Sequence, residues 1–317
     1  MGAAGAGEQR RFRVAFANLN DDPSARIEGL GFSGAEVRRS FELASRTLPL
    51  DMIYYDNAGD GEAALANAYD AVGRKVALFI EYNADTAANA EIAGKLKAAA
   101  IPVLAVNYPV PGAPLYAADN TVAGRIAGNA LGEFAKQNWA DQAVVSVIAG
   151  DFGDPAAYLS QRVQGIVDGL HKDLPDINLT RLDTSGNPVR VDGLLSKFLA
   201  SHTRTKVLVA TLDDPTALVA KGAIERAGRI GDCIIVSQGL DHSVHGGANE
   251  KREIDPNNRG SLILGSVAYY VDRYGYEVLP LAMKMLRGEQ IPERTTTRHV
   301  LVSAANVFTE YPPYDMN

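Results

Sequence analysis

Short, nearly unbroken apolar runs recur along this chain at residues 12–17, 52–55, 76–80 and 103–106, and again at 144–148, 207–210 and 234–236. Runs of that length suit β-strands covered on both faces. Between them the apolar residues return with helical spacing: Val37, Phe41, Ala44 and Leu48 make one stripe, and Leu159, Val163, Ile166 and Leu170 another. Strands alternating with helices predict an α/β fold of parallel sheets flanked by helices. The alternation occurs twice. Four strands precede Gly112, a second set begins near Ala143, and the stretch Pro-Val-Pro-Gly-Ala-Pro at 109–114 lies between them. Two such units in series would each present loops at the carboxyl ends of their strands, where open α/β sheets bind ligands. A strand-like run at 262–267, a helical stretch at 271–286 and a last strand near 299–302 are left to complete either unit.

Length and composition narrow the function. A chain of 317 residues has room for two domains of about 150 residues each. Its 46% hydrophobic and 22% charged residues can fill real cores. A formal net charge of −7 argues against a surface built to neutralise phosphates, so no nucleic-acid partner is expected. Cys233 is the only cysteine, which excludes an internal disulfide and a paired-cysteine zinc site. Its context, Cys-Ile-Ile-Val, predicts a buried strand in which it acts as a small apolar residue. No apolar run approaches the ~20 residues needed to span a bilayer. Residues 1–10 read as a flexible leader without the apolar core of a secretion signal.

Two motifs invite a cofactor or a metal. Gly29-x-Gly31-x-x-Gly34 matches the dinucleotide fingerprint, and Asp56 lies where a ribose-binding acid would stand. The fingerprint needs its first glycine directly after a strand, so that a helix amino terminus meets the pyrophosphate. Here the first strand ends near Asn18 and ten residues of another character intervene before Gly29. The expectation is a glycine-rich loop leading into a helix, with no cofactor. His242 and His245 beside Asp241 have metal-ligand spacing on a helix, but Gly246-Gly247 predicts a loop, so no metal is expected. No Walker loop, nucleophile elbow or His-Glu-x-x-His segment is present, and no catalytic residue is nominated.

Several segments carry a family resemblance. Asp119-Asn120-Thr121-Val122-Ala123-Gly124-Arg125 and Arg162-Val163-Gln164-Gly165-Ile166 are the strongest. Asn20-Asp21-Asp22-Pro23 after the first strand, Asp213-Asp214-Pro215-Thr216, and Arg287-Gly288-Glu289-Gln290-Ile291-Pro292 accompany them. In order and spacing these resemble the periplasmic sugar-binding proteins of the ribose-binding type, the type I solute-binding proteins of ABC transporters, which share their fold with lactose-repressor ligand-binding cores. The resemblance implies two Rossmann-like lobes joined by a three-crossing hinge, an N-terminal lobe of 11–118 plus 271–305 and a C-terminal lobe of 119–270 plus 306–317. It implies a periplasmic monomer that closes around a sugar or polyol and delivers it to the membrane permease of an ABC-type importer. Carried over by position, its ligand contacts fall on Asp22, Glu81, Asn107, Tyr108, Arg162, Asp213, Gln238 and Tyr270. Carboxylates, amides and a guanidinium fork suit a polyhydroxylated ligand, and Tyr82, Tyr108 or Tyr158 offer ring faces to its C–H side.

Simpler roles are open for the same residues. Glu81 and Asp213 can cap the helices that follow them, Arg162 can pair with a structural acid, and Tyr270 can pack at the hinge. The chain also departs from the ribose pattern. It has Asn107-Tyr108 in place of an Asp-Arg pair, Ser24-Ala25 in place of two aromatics, and Ser237-Gln238-Gly239 in place of Gly-Phe-Asp. A rebuilt pocket is expected, with Phe32 or Arg38 of the enlarged loop 18–34 as added contacts. A sensory binding protein for the same ligand class, or a nicotinamide-dependent enzyme, are the alternatives. A repressor is not, because too few residues precede Phe12 to form a DNA-reading motif.

Overall fold

Val14, Ala15, Phe16 and Ala17 are completely buried, the pattern of a central parallel strand covered on both faces. The computed structural model describes residues 11–153, 157–246 and 252–312. The expected leader at 1–10 lies outside the described residues. The chain divides into two units. Among the described residues, unit 1 holds 11–25, Ser33–Ala118 and Val271–Thr297, and unit 2 holds Arg26–Phe32, Asp119–Tyr270 and 298–312.

The chain begins in unit 1 with β1 (Phe12–Asn18), α1 (Gly34–Ser45), β2 (Leu50–Asp56), α2 (Gly61–Gly73), β3 (Leu78–Glu81), α3 (Thr86–Ala98), β4 (Val103–Val106) and β5 (Leu115–Ala117). Unit 2 follows with α4 (Asn120–Asn138), β6 (Val144–Gly150), α5 (Ala157–Asp173), β7 (Asn178–Asp183), α6 (Val191–Ser201), β8 (Lys206–Thr211), α7 (Asp214–Arg226), β9 (Cys233–Gly239) and β10 (Ile263–Ala268). The chain then supplies α8 (Tyr274–Leu286) and β11 (Arg294–Thr296) to unit 1, and β12 (Leu301–Val302) and α9 (Val307–Glu310) to unit 2.

Each unit is a six-stranded sheet flanked by helices. The orders are β11-β5-β4-β3-β1-β2 and β12-β10-β9-β8-β6-β7. Every strand pair is parallel except β10 with β12. The two sheets share one winding, and their order reverses between β1 and β3 and between β6 and β8. Those are the switch points outside which ligands bind in sheets of this kind. The proline stretch at 109–114 does not separate the units. It joins the parallel strands β4 and β5 inside unit 1.

Aspartates mark where the chain turns from strand end into helix. Asp60, Asp85, Asp119 and Asp213 each accept a backbone N–H from the first turn of α2, α3, α4 and α7, satisfying donors that a helix cannot bond internally. In unit 2, α4 and α5 meet backbone to backbone. A Cβ on Gly124 or Gly128 would overlap the carbonyls of Arg162 or Ile166, and one on Gly165 or Gly169 would overlap those of Thr121 or Arg125. Cys233 is buried at the start of β9, and burial pushes its thiol up to about 12. Among the described residues no helix is long and apolar enough to cross a membrane.

Candidate functional site

In unit 1 the carboxyl ends of β1, β3 and β4 bring together Asn18, Glu81, Tyr82, Asn107 and Tyr108 with Asn57, which follows β2. Glu81 is fully buried. Asn57 donates its amide to Glu81 Oε1 at 2.9 Å, and Asn67 fixes the amide's orientation by donating to Asn57 Oδ1 at 2.9 Å. Oε2 has no partner among the described residues. Burial raises the Glu81 pKa to about 8, against the lowering effect of the Asn57 bond. At neutral pH the side chain is therefore largely a neutral acid. Oε1 accepts, so the proton sits on Oε2 as a donor with nothing to bond. Asn18 Oδ1, across the switch point, is likewise buried and without a partner.

Asn107 has φ +57°. Its amide nitrogen lies 3.2 Å from Tyr82 Oη and 3.4 Å from Tyr274 Oη, and its Oδ1 accepts the Ala118 N–H at 3.0 Å. The rings of Tyr82 and Tyr108 stack with centroids 6.1 Å apart. Asp22 is exposed and spends Oδ1 on the N–H and hydroxyl of Ser24, which lowers its pKa. Arg38 pairs with Asp21 and, at 3.2 Å, with Glu42.

Unit 2 gathers Arg162, Asp213, Gln238 and Tyr269 with Asn120. Gln238 is fully buried; its Oε1 accepts from Tyr269 Oη at 2.8 Å, and its Nε2 has no partner among the described residues. Exchanging the two ends of the amide would only transfer the deficit to the oxygen, because Tyr269 can bond one end alone. Asp213 accepts the Thr216 N–H at 2.7 Å and the Thr216 hydroxyl at 2.8 Å. It is the cap of α7, and burial raises its pKa. Asp214, fully buried behind it, accepts from the hydroxyls of Ser237 and Ser266 and from the Asp241 N–H. Burial, with the Asp241 charge, holds its pKa well above the usual carboxylate range. This knot ties β9, β10 and α7 together.

Tyr270 stands apart from that group. With φ +50° it turns away from Tyr269, stacks on Tyr311 with centroids 5.8 Å apart and hydrogen-bonds Glu310. Asn18 and Asn57 in unit 1, and Tyr269 and Asn120 in unit 2, are residues that sequence reasoning did not nominate. Asn120 stood inside the Asp119-to-Arg125 motif, but Tyr269 differs from Tyr270 by a single position. Among the described residues no three His, Cys, Asp or Glu side chains gather as a metal site would require.

The three motif glycines are each explained by a close approach. Gly29 has φ +60° and a Cβ there would press on Leu159 at 3.2 Å; a Cβ on Gly31 would overlap Asp241 Oδ2, and one on Gly34 the carbonyl of Asn20. The segment Arg26–Phe32 packs in unit 2 with Ile27, Leu30 and Phe32 buried, Phe32 lying edge-on to His242. The three-crossing expectation had no place for this excursion.

At the start of α4, His299 Nε2 accepts the Asp119 N–H at 3.0 Å while Nδ1 donates to Ala268 O at 2.9 Å. Burial lowers its pKa, helped by Arg162 and opposed by the Ala268 bond and the Asp119 charge. Below the ordinary value of 6.5 the unfolded chain takes up a proton that the folded protein refuses, so this group's stabilisation is present above that pH and is lost as pH falls. The wild-type advantage in melting temperature over His299→Gln should shrink steadily between about pH 7 and pH 5. An advantage that is constant with pH would show that the ring is not held neutral.

The family described as periplasmic binding protein domain matches residues 33–290. No curated protein matches the chain in sequence. Among solved structures, it is similar to GanP, a glucose-galactose binding protein from Geobacillus stearothermophilus, with a TM-score of 0.65, 17% identity, and coverage of 94% of this chain and 99% of that one. A solute binding protein of an ABC transporter from Actinobacillus succinogenes with bound D-allose gives 0.68 at 14% identity, covering 95% of this chain and 100% of that one. A Mycobacterium smegmatis protein in complex with β-D-fucofuranose gives 0.67 at 19% identity, covering 96% and 95%. At such identities these structures testify to the fold. The family match spans most of the chain, which therefore belongs to the periplasmic binding protein domain family, a family of binding proteins and not of enzymes.

Proposed function

We propose that this protein is the solute-binding component of an ABC-type importer, working in the periplasm, and that its cargo is a small uncharged polyhydroxylated molecule, a sugar or a polyol. The observation that carries this reading is the pair of buried polar groups left without partners at central strand ends: Glu81 Oε2 in unit 1 and the Gln238 amide in unit 2. A buried polar atom without a hydrogen bond costs about 1–3 kcal/mol, and in a binding protein a ligand hydroxyl removes that cost. A protonated Glu81 donates, and a free amide nitrogen donates, so both ask for an oxygen acceptor. Asn107 and Asn57 add neutral polarity, while the Tyr82 and Tyr108 rings offer apolar faces. Asp213 stays in the proposed set because two bonds do not exhaust a carboxylate's lone pairs. Solved neighbours with bound glycerol, D-allose and α-D-tagatopyranose support the ligand class. The expected partner is the importer's membrane permease.

A thermal-shift screen against pentoses, hexoses, deoxysugars, polyols and nucleosides tests it. A ligand that binds only the folded state adds about 2.7 kcal/mol at a hundredfold excess over its dissociation constant. A sharp shift confined to one small group of neutral polyols is the expected outcome. Silence across the panel, or chemical turnover of a bound sugar, would overturn the reading.

A further inference from the structure

Arg162 is completely buried on α5, and its guanidinium lies over the Tyr269 ring at 5.0 Å. Every N–H it carries is engaged within unit 2. Nε donates to Asn120 Oδ1 at 3.2 Å; one terminal nitrogen donates to Leu212 O at 2.8 Å and Gly29 O at 3.4 Å; the other donates to Glu28 O at 3.0 Å and Asn120 Oδ1 at 3.0 Å. Two of these acceptors are backbone carbonyls of the segment Arg26–Phe32. That segment is built to stay where it is. Ile27 bonds Phe32 O at 3.0 Å across a turn closed by Leu30 N–H to Ile27 O at 2.9 Å. Glu28 and Gly29 both take the left-handed conformation, Arg26 ties back to Gly31 O at 2.6 Å, and Gly31 lies flat against Asp241.

We propose that Arg26–Phe32 is a specificity strap: it uses up the donors of Arg162, so unit 2 meets its ligand through the Gln238 amide, and the protein selects uncharged over acidic ligands. The choice of uncharged cargo rests on the function proposed above; the shielding of Arg162 does not. A free guanidinium fork would pair with a carboxylate in two parallel bonds. The strap supplies carbonyl oxygens in place of that carboxylate and presents Leu30 beside Gly239, with a Cβ on Gly239 falling 3.7 Å from the Leu30 methyl.

Arginine-specific labelling with phenylglyoxal, read by peptide mass spectrometry, tests the strap directly. In the intact protein Arg162 should react at least about tenfold more slowly than Arg125, Arg226 and Arg298, whose side chains are 50%, 62% and 66% exposed. Gly31→Val, which collides with Asp241, and replacement of Arg26–Phe32 by seven Gly and Ser residues should each bring Arg162 to a rate near that of Arg125. The same proteins are then screened with glucose against glucuronate and galactose against galacturonate. The wild type should respond to no uronate, and the strap replacement should gain a uronate response. Rapid labelling of Arg162 in the wild type overturns the proposal, and needs no variant to fold. So does an Arg162 that stays unreactive in a folded strap replacement, or a uronate that stabilises the wild type and protects Arg162. Failure of every neutral sugar to bind would instead count against the proposed function and leave the labelling result standing.

Discussion

Alanine at Gly165 should lower stability by about 2 kcal/mol or more, while alanine at Gly94 should raise it by up to ~1 kcal/mol, measured as opposite shifts in urea midpoint. Both glycines sit inside helices, where replacing glycine by alanine restricts the unfolded chain and favours the helix by up to ~1 kcal/mol. Their surroundings differ. Among the described residues nothing beyond the backbone of α3 itself and the chain neighbours lies within 4 Å of a Cβ on Gly94, so the gain is unopposed. A Cβ on Gly165 would overlap the Thr121 carbonyl and come within 2.9 Å of the Arg125 nitrogen. Both obstacles are backbone, and a helix backbone cannot swing aside as a side chain can. The two helices would have to separate, and overpacking of that kind costs about 1–3 kcal/mol or more. Gly124, Gly128 and Gly169 make the same close approach from both helices, so the strain has nowhere to spread. Arg162 stands one turn before Gly165, and separation of α4 from α5 would draw it away from Asn120. Gly165→Ala with wild-type stability would mean that the interface has slack and that small residues there are incidental.

Six of the seven apolar runs are central strands, where burial on both faces writes a continuous apolar sequence, and the seventh, 52–55, is the half-buried edge strand β2. The strands that no such run announced are all exposed on one side or brief. β7, Asn-Leu-Thr-Arg-Leu-Asp, alternates and buries only Leu182; β11 is Arg-Thr-Thr; β5 is three residues directly after a proline-rich turn. An edge or end strand draws its hydrogen bonds from a neighbour and needs little apolar surface of its own, so its sequence says little. The site divides in the same way. Glu81 and Gln238 stand at strand ends because the winding of the sheet puts them there. The partners of Arg162 were invisible, since three of them are backbone carbonyls, which any residue supplies. The glycines of the strap were visible, but close packing against Asp241 and Leu159 and close approach to a pyrophosphate demand the same residue. Only the distance of Gly29 from the end of β1 separated the two readings.

Glutamine in place of Glu81 should stabilise the unliganded protein by about 2–4 kcal/mol near pH 8.5 and change it little near pH 5. The unfolded carboxyl titrates near 4.5 and the buried one near 8, so between those values the folded protein retains a proton that the unfolded chain has released. Stability is therefore present at the acid side of the window and falls as pH rises through it, at up to ~1.4 kcal/mol per unit. Glutamine reproduces the shape and the donor of the protonated acid and never ionises, so Glu81→Gln should lose this slope. A gain in stability on removing a native carboxyl is the mark of a group retained for binding. Under the proposed function, the glutamine amide of the variant still donates to a ligand oxygen at neutral pH, and affinity for a neutral polyol should stay within about threefold. Wild-type affinity should then weaken above about pH 8 as Glu81 ionises, and the variant's should not. Urea unfolding of both proteins across that range, followed by titration with whichever polyol the screen identifies, separates the two halves of the prediction. Equal pH slopes would place the charge of Glu81 in solvent contact, whereas unequal slopes with a wild-type affinity that does not weaken above about pH 8 would confine the buried acid to folding and remove it from the ligand set.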